Sequence, residues 1–349
     1  MKAGIVTFHE SDNFGAVLQA YALQQTLFSL GADSEFVSLP QTLKQNSYPL
    51  TGPAAVFAKK IVAEGEVRSA HFKAFREQYL TCSKPYTKDD YKTIASDFDC
   101  FIAGSDQIWN LRIPEVDERY FLPFAEPSQM NSYAASFGAE EFPEKVRDYA
   151  GKALSKFNKI SVREASGLDI VKSLCGREDA VVSLDPTLLL SRGDWLEVAS
   201  PAPAEDYYLL FLVKYDAGLH KKAKDAAAAD GKELKVITAA FMPQLGFPAW
   251  SGVTVNDWVS LVSHSSGTFT NSFHGCAFSL IFGRPLCINM LQDELGKRNG
   301  RIEDLLWKFG MDKSLAGELQ ACPSDEFESR ICDSRKSSMD YLKDIIENA

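Results

Sequence analysis

The chain has 349 residues, of which 45% are hydrophobic and 24% charged, and its formal net charge is −10. This length is too great for one ordinary core and fits two domains of about 150 residues each. The acidic balance, with no block of basic residues, argues against nucleic acid as a partner, because such a partner requires a concentrated positive surface. The proportions are those of a globular protein.

The seven cysteines are scattered, with neither a CxxC pair nor the spacing of a metal site. An odd, scattered set suits a reducing compartment. The sequence begins directly with a strand pattern at 3–8 rather than with a signal peptide, and no apolar run approaches the ~20 residues that a membrane span needs. We therefore expect a cytoplasmic protein without a transmembrane segment, which leaves peripheral membrane contact open.

Short apolar strands alternate with helical patterns in the first part of the chain, which is typical of an α/β domain with a parallel sheet. The predicted strands are 4–8, 35–39, 98–103, 131–135, 159–162 and 180–184. The predicted helices are 17–30, 142–157, 165–175 and a charged amphipathic insertion at 53–80. Residues 1–190 are therefore predicted to form a Rossmann-like domain.

A second alternating series follows a segment rich in Pro, Ala and Ser at 191–206, which we interpret as the connection between domains. The predicted strands are 207–213, 234–239, 268–271 and 285–289, and the predicted helices are 219–230, 255–263, 275–282 and 301–309. This series predicts a second Rossmann-like domain over 207–320. A C-terminal helix is expected in 335–349, with the N-terminal domain as a surface on which it can pack.

Two consecutive Rossmann-like domains bind ligands at the carboxyl ends of their strands, so the site is expected in the cleft between them. The turn Asn271-Ser-Phe-His-Gly275 follows a predicted strand and opens a helix. The first N–H groups of a helix lack partners, and such a helix start binds anions. His274 beside Asn271, Ser272 and Gly275 therefore favours a phosphorylated or carboxylated small molecule, although ordinary N-caps use the same residue types.

Polar turns follow two strands of the first domain. Ser105, Asp106 and Gln107 come directly after a buried strand, and the carboxylate of Asp106 is costly there unless it is used or paired. Asn13 and Gly15 lie between the first strand and the first helix, where the helix start can face an anion or a sugar. The alternative for this second turn is a plain connection with a capping residue.

Two further strand ends carry charged residues. Arg163 ends a strand in Ser161-Val-Arg-Glu164, and arginine suits bidentate binding of phosphate or carboxylate. The alternative is an ion pair with Glu164, which is worth little at a surface. Asp185, in Leu184-Asp-Pro-Thr187, is interpreted as mainly structural, because it can cap the turn that follows.

Six segments with these features occur in a fixed order, and together they resemble the polysaccharide pyruvyl transferase family over about residues 4–309. They are His9…Asn13-Phe-Gly-Ala-Val-Leu-Gln-Ala-Tyr-Ala-Leu23, Ile102-Ala-Gly-Ser-Asp-Gln-Ile-Trp-Asn110, Ser132-Tyr-Ala-Ala-Ser-Phe-Gly138, Ser161-Val-Arg-Glu164, Leu184-Asp-Pro-Thr187 and Asn271-Ser-Phe-His-Gly275. The resemblance implies two Rossmann-like domains facing a cleft, as in the GT-B glycosyltransferases. It also implies phosphoenolpyruvate as donor, with no further cofactor, and a sugar diol as acceptor on a polysaccharide or lipid-linked glycan.

The resemblance also carries residue roles onto this sequence. The strand-end arginine of the family falls on Arg163 and its donor-site histidine on His274. Better-known members have an arginine two residues before that histidine, where this chain has Ser272. Either a basic residue of the following loop replaces it, or the donor differs. The candidate replacements are Arg301, Arg298 and Lys297.

Forming a pyruvate ketal requires a general acid for the methylene carbon, groups that hold phosphate and carboxylate, and a base for a sugar hydroxyl. His274 is the predicted acid: a helix N-terminus disfavours imidazolium, and an arriving anionic donor favours it. Arg163 is predicted to hold phosphate, and Asp106 is the predicted base, ahead of Glu10. No step demands a metal. The predicted donor contacts are Ser272, Asn271, Gly275 and Arg301, and the predicted acceptor contacts are Asn13, Gly15, Ser105 and Gln107.

Two other functions fit the same architecture. A nucleotide-sugar glycosyltransferase of this fold often grips the ribose with a carboxylate at the donor helix, and no Asp or Glu occurs from Asn271 to Gln292. That absence weighs against this alternative. The third hypothesis is a non-catalytic glycan-binding relative. Ser272, which stands where better-known members have an arginine, leaves this hypothesis open.

Overall fold

The computed structural model describes residues 1–39, 53–114, 116–138, 142–238, 252–289, 300–308, 318–321 and 324–349. The first 190 residues contain a four-stranded parallel sheet of order β2-β1-β3-β4 and a parallel pair, β5 and β6. Its strands are β1 (Lys2–Val6), β2 (Asp33–Phe36), β3 (Cys100–Ala103), β4 (Met130–Ser132), β5 (Ser161–Val162) and β6 (Val181–Val182). Single bridges extend β4 toward β5, so the ends of these strands lie along one edge.

The helices of this part are α1 (Phe14–Ser29), α2 (Pro53–Tyr79), α3 (Tyr91–Asp97), α4 (Arg147–Leu154), α5 (Ser166–Cys175) and α6 (Arg192–Val198). Helix α1 begins earlier than the predicted 17–30, because the side chain of Asn13 accepts a hydrogen bond from the N–H of Ala16 at 3.3 Å. This cap places Gly15 in the first helical turn. Helix α3 was not predicted.

The segment 191–206, interpreted as the connection between the domains, contains the helix α6, which was not predicted. Ser191 and Asp194 form a capping box that starts α6, each side chain bonding to the backbone of the other residue. Trp195 is fully buried, and its indole N–H donates to the carbonyl of Thr187 at 3.1 Å. The cap and the anchored tryptophan together hold this segment on the first domain.

The second domain has a four-stranded parallel sheet of order β10-β9-β7-β8. Its elements are β7 (Tyr207–Leu212), α7 (Ala217–Asp230), β8 (Glu233–Thr238), α8 (Val255–His264), β9 (Thr268–Thr270), α9 (Phe273–Ile281), β10 (Leu286–Ile288) and α10 (Gly300–Lys308). The two parallel sheets with their alternating helices confirm the predicted α/β class with two Rossmann-like domains.

The last helix, α11 (Ser324–Glu347), begins well before the predicted 335. Its side chains bond to the first domain: Tyr341 donates to the carbonyl of Ser132 at 3.0 Å, and Ser338 accepts from the N–H of Leu184 at 3.0 Å. The C-terminal helix therefore lies on the N-terminal domain. Within the described part of the chain, no helix combines the length and the apolar character needed to cross a bilayer.

Aromatic side chains join the two domains into a continuous hydrophobic cluster. Phe14 of α1 stacks on Trp258 of α8 with ring centroids 5.6 Å apart, and its ring lies 6.2 Å from that of Phe211 on β7. Phe14 is buried, as are both partners. Since Phe14 starts α1, this packing brings the first turn of α1 against the second domain.

Candidate functional site

Two helix N-termini from different domains meet at His274. Ser272 caps α9, its hydroxyl accepting from the N–H of Gly275 at 3.3 Å. His274 is 8% exposed, and a Cβ added to Gly15 of α1 would lie 2.0 Å from its Nδ1. The backbone of Gly15 thus packs directly against the imidazole ring, which only a residue without a side chain allows. A Cβ on Gly275 would lie 2.4 Å from the hydroxyl of Thr270, so that glycine permits the tight packing of α9 on β9.

Asn271 ties the end of β9 to the end of β7. Its side-chain oxygen accepts from the N–H of Val213 at 2.8 Å, and its amide nitrogen donates to the carbonyl of Lys214 at 2.7 Å. Both functions of the buried amide are thus bonded to backbone. It holds the turn between β9 and α9 in place, and a direct contact with a donor stays a prediction.

Arg163 lies at the centre of a buried carboxylate cluster. Its guanidinium bonds to Asp185 at 2.7 Å and lies 3.5 Å from Asp106 and 3.9 Å from Glu164. The ring of Phe273 covers it, with the guanidinium carbon 4.7 Å from the ring centroid. Burial lowers the pKa of Arg163, but the three carboxylates outweigh burial and raise it. The arginine predicted to bind phosphate therefore has its fork occupied by protein carboxylates.

Asp185 was interpreted as a cap, and it also belongs to the site, which sequence reasoning missed. One carboxylate oxygen accepts from the N–H of Thr187 at 3.0 Å and from its hydroxyl at 2.7 Å. The other accepts from Arg163 and lies 3.7 Å from Nε2 of His274. Burial raises the pKa of Asp185, but His274 and Arg163 outweigh burial and hold this pKa well below its usual range. Its place after β6, beside the arginine that follows β5, was the available signal.

Glu164 is a second carboxylate that the sequence did not assign to the site. It is 3% exposed rather than part of a surface ion pair. One of its oxygens accepts from the hydroxyl of Ser136 at 2.8 Å and from the N–H of Phe137 at 3.1 Å. The turn after β4 therefore fixes the carboxylate that flanks Arg163.

Asp106 is the most exposed carboxylate of the cluster. Its side chain is 15% exposed, against 0% for Asp185 and 4% for Glu164. It accepts from the N–H of Gln107 at 2.9 Å, which fixes its orientation. The predicted base is thus the carboxylate that a bound molecule reaches most readily.

The residues predicted to contact the acceptor are placed differently from one another. Ser105 is fully buried, its N–H donating to Gln19 at 3.2 Å and its hydroxyl to the carbonyl of Ala134 at 3.0 Å. Gln107 is half-buried and accepts from the amide of Asn110 at 2.8 Å. Ser105 thus anchors the strand end to the interior of the domain, while Gln107 lies nearer the surface of the same turn.

The remaining predicted residues lie outside this cluster or outside the described residues. Asn13 is exposed at the start of α1. Glu10, the less favoured base, is also exposed, and its charge acts on Arg119. The side chain of Arg301 lies outside the described residues, although its backbone begins α10. Lys297 and Arg298 also lie outside the described residues.

His9, at the end of β1, is a second buried histidine. It is 5% exposed, its Nδ1 lies 3.2 Å from the carbonyl of Thr7, and its ring stacks on Phe36 at 4.8 Å. Burial lowers the pKa of His9 to about 4, and the positive charges of Arg76 and Arg119 act in the same direction. This histidine is therefore neutral at physiological pH.

The arrangement at His274 suits acid–base chemistry on an anionic small molecule. Nε2 of His274 has no hydrogen-bond partner within the described part of the chain, and an ionised carboxylate lies beside it. Asp106 provides a second, more accessible carboxylate. The starts of α1 and α9 meet here, since Gly15 packs against the ring of His274, and the first N–H groups of a helix have no partner within their own helix. These features place a cluster of titratable side chains where the two domains of an α/β protein meet.

The family model described as Polysaccharide pyruvyl transferase matches residues 13–288. This match covers most of the 349 residues, so the chain belongs to the polysaccharide pyruvyl transferase family and is a transferase. It includes Asp106, Arg163, Asp185 and His274. No curated protein matches the chain.

Several solved structures resemble the chain at low sequence identity. The UDP-GlcNAc 2-epimerase from Methanocaldococcus jannaschii has 10% identity and a TM-score of 0.49, with 95% of this chain and 92% of that one covered. A putative UDP-N-acetylglucosamine 2-epimerase from Listeria monocytogenes has 9% identity and a TM-score of 0.48, with 99% and 91% covered. An alpha-glucosyltransferase in complex with UDP and DNA has 10% identity and a TM-score of 0.43, with 98% and 95% covered.

Proposed function

We propose that the protein transfers a pyruvyl group from phosphoenolpyruvate to two hydroxyls of a sugar, forming a pyruvate ketal on a glycan. The observation that carries this proposal is the pair formed by His274 and Asp185, at 3.7 Å, where two helix starts converge. Ketal formation needs an acid that can protonate carbon beside a group that binds anions. This junction combines the two.

His274 is the proposed general acid. It gives a proton to the methylene carbon of the enol, which becomes a methyl group. Positive charge develops on the adjacent carbon, which bears that methyl group. The carboxylate of Asp185 lies 3.7 Å from Nε2 and is the proposed partner that orients the ring. Nε2 is buried 3.7 Å from Asp185 and makes no hydrogen bond within the described residues, so its proton is not committed to a protein acceptor.

Asp106 is the proposed base. As one sugar hydroxyl bonds to the activated carbon, its proton passes to Asp106, whose carboxylate is the most exposed of the cluster. The second hydroxyl replaces phosphate at the same carbon, and its proton leaves with the phosphate. The first N–H groups of α1 and α9 are the proposed ligands of the donor anion. The proton on Asp106 returns to His274 through solvent, so atoms and charges balance with phosphate and the ketal as products.

The family description, which names a polysaccharide, supports a glycan as the acceptor. The turn of Asn13 and the turn of Gln107 are the proposed acceptor surface, since both carry polar side chains and Gln107 adjoins Asp106. A free sugar, a polysaccharide end and a lipid-linked glycan all offer the required diol. The identity of the sugar is left to the assay.

Ligand-induced stabilisation separates the donor classes. A ligand bound only by the folded protein raises the apparent melting temperature. We expect phosphoenolpyruvate to raise it, and UDP and CMP to leave it unchanged. Stabilisation by a nucleotide with none by phosphoenolpyruvate would instead support a nucleotide-sugar glycosyltransferase and contradict the proposal.

Turnover is measured as phosphate release from phosphoenolpyruvate in the presence of a glycan mixture, with mass spectrometry to identify the pyruvylated product. Both signals are expected from the wild-type protein, and both are lost in His274→Gln. His264→Gln is the matched control, because His264 is exposed on α8. Glycan binding without phosphate release from any donor would indicate the non-catalytic alternative.

A further inference from the structure

We propose that the first domain has a second binding site, a surface cleft that holds a neutral oligosaccharide chain away from the catalytic cluster. A cavity of about 640 Å³ lies between α3 and the segment 123–129. The side chains that line it include Tyr91, Lys92, Phe124 and Glu126, and we call it the α3 cleft. Small-molecule sites have volumes of about 300–1,000 Å³, so the size fits a few sugar units. This inference rests on the proposed function only in taking the acceptor to be a glycan.

The α3 cleft lies at the opposite edge of the sheet from Asp106. Helix α3 leads into β3, and Gln129 immediately precedes β4, so the cleft lies at the amino ends of both strands. Asp106 follows the carboxyl end of β3. A strand of four residues, such as β3, is about 13 Å long. The α3 cleft is therefore a separate place on the surface and not a part of the cluster around Arg163 and His274.

Aromatic rings give this surface its shape. The ring of Tyr91 stands edge-on to that of Phe124, with centroids 5.5 Å apart, and Phe124 is buried. The ring of Tyr149, on α4, stands edge-on to the buried Phe121 in the same way, at 5.7 Å. Tyr149 nevertheless stays 48% exposed. Folding gains little from the exposed half of this ring, whereas a ligand that covers it removes apolar area from water.

The two tyrosines belong to one surface. Lys88 pairs with Glu118 at 2.5 Å, and both charges act on Tyr91 and on Tyr149. Partial burial and then the carboxylate of Glu118 raise the pKa of each tyrosine, and Tyr91 itself acts on Tyr149. Neither hydroxyl makes a hydrogen bond within the described part of the chain. Both hydroxyls therefore stay protonated and are available to donate to a ligand and to accept from it.

The polar lining suits hydroxyl groups better than ionic groups. Lys92 and Glu126 have opposite charges, so the described lining has no net charge. The amide of Gln129 donates to the carbonyls of Ala95 and Phe98 at 3.0 and 2.9 Å, which fixes one wall of the cleft. A phosphate or a nucleotide requires a surplus of positive charge. A neutral sugar instead presents hydroxyls at its edges and an apolar C–H face, which matches tyrosine rings with polar tips.

A second point of contact is useful to a transferase that acts on a long chain. This protein belongs to a family whose description names a polysaccharide. A polymer held at the α3 cleft keeps its reactive end near Asp106, because binding of that end becomes an intramolecular step. The advantage exists only for a chain that spans both places. The α3 cleft is therefore expected to favour long acceptors over short ones.

The first experiment measures binding in the full-length protein without donor or turnover. Tyrosine ring signals of ¹³C-labelled protein are followed by NMR while neutral hexasaccharides of glucose, galactose, mannose and N-acetylglucosamine are added to millimolar concentrations. We expect at least one of these sugars to shift Tyr91 and Tyr149 in a saturable way. Failure of every sugar to shift either tyrosine overturns the inference.

Two substitutions at Tyr149 and one control define which group binds. Tyr149→Ala is expected to weaken the binding about fivefold or more, because an exposed ring that anchors a ligand is lost. Tyr149→Phe keeps the ring and is expected to retain most of the affinity. Phe28→Ala removes another exposed ring, at the end of α1, and is expected to change nothing. Equal losses in Tyr149→Ala and Phe28→Ala would contradict a specific site.

The same signals distinguish other occupants of this surface. Inorganic phosphate and UDP are the anionic probes. Saturable shifts with either of them, and none with the sugars, would assign the α3 cleft to an anion and contradict the inference. A dimer seen by analytical ultracentrifugation in the wild-type protein, and dispersed by Tyr149→Ala, would assign the surface to a second copy of the chain and also contradict it.

The second experiment connects the α3 cleft to transfer. The glycan that becomes pyruvylated is compared with a short fragment of the same glycan, and KM is measured for each. Tyr149→Ala is expected to raise KM for the long chain about fivefold and to leave kcat and the KM of the fragment unchanged. An equal rise for both acceptors overturns the inference, because it places Tyr149 at the reacting sugar. If the wild-type protein transfers no pyruvyl group, the proposed function fails, and the NMR titration still decides whether the α3 cleft binds sugar.

Discussion

Each domain has a buried histidine near the start of a helix: His9 lies in the turn between β1 and α1, and His274 lies in the first turn of α9. His9 lies near the guanidinium groups of Arg76 and Arg119, and its pKa is about 4. His274 lies 3.7 Å from the carboxylate of Asp185. The same residue type, buried near a helix start, is thus neutral in one domain and beside an anion in the other. The fold supplies the position, and the charged neighbours determine the chemistry.

The largest effect on the surroundings of His274 is expected from removing Arg163, the cation that holds the buried carboxylates together. Arg163→Ala leaves three buried carboxylates without their guanidinium, and the free energy of unfolding is expected to fall by about 3–5 kcal/mol. Urea unfolding measures this change. Lys221→Ala is the control, because it breaks an exposed pair with Asp225 and is expected to cost less than about 1 kcal/mol. Equal effects of the two substitutions would contradict the buried-cluster interpretation.

Acidification tests the neutral histidine. The pKa of His9 in the folded protein, about 4, lies below its ordinary value, so its contribution to stability is present above pH ~6.5 and is lost as the pH falls to ~4. We expect about 3 kcal/mol of the free energy of unfolding to be lost over this range. The measurement compares urea unfolding of wild-type protein and His9→Gln at several pH values. Parallel pH dependences would show that His9 is not held neutral.

Removing the other histidine affects turnover rather than stability. His274→Ala is expected to lose about 100-fold or more in kcat, the usual contribution of an acid–base residue, while the protein stays folded. Phosphate release measures kcat, and circular dichroism checks the fold. Turnover at the wild-type level in this variant would exclude His274 as the acid.

The smallest expected effect comes from moving His274 without replacing it. Gly15→Ala places a methyl group 2.0 Å from Nδ1, so the ring has to shift, and kcat is expected to fall about tenfold. Gly65→Ala in α2 is the matched control, because a Cβ there meets no atom within 4 Å. That substitution is expected to keep full turnover and to add up to ~1 kcal/mol of stability. A fully active Gly15→Ala protein would show that the ring tolerates displacement.

The sequence predicted the alternation of strands and helices and the polar turns at strand ends, because both are local patterns. It also identified His274, whose turn combines caps and a titratable ring. The capping box of Ser191 and Asp194 was readable as well, but the surrounding Pro and Ala obscured it. Element bounds shifted by a few residues wherever a cap such as Asn13 set the helix start.

The partners of Arg163 could not be predicted in the same way. Asp106 lies 57 residues before it and Asp185 lies 22 residues after it. Their convergence depends on the order and twist of the strands, which no local pattern encodes. Arg163, which the sequence predicted to be available for phosphate, is therefore buried among carboxylates in the structure. Asn271 shows the same effect, since its backbone partners, Val213 and Lys214, follow β7.

Phe14 connects the site to the cooperativity of the whole molecule. It immediately precedes Gly15 and stacks on Trp258 in a cluster of buried side chains that includes both sheets. Unfolding of either domain would expose aromatic surface of the other, which makes a half-folded protein unfavourable. Calorimetry should therefore show one thermal transition, with equal calorimetric and van't Hoff enthalpies. Two separate transitions would show that each domain holds its half of the site independently.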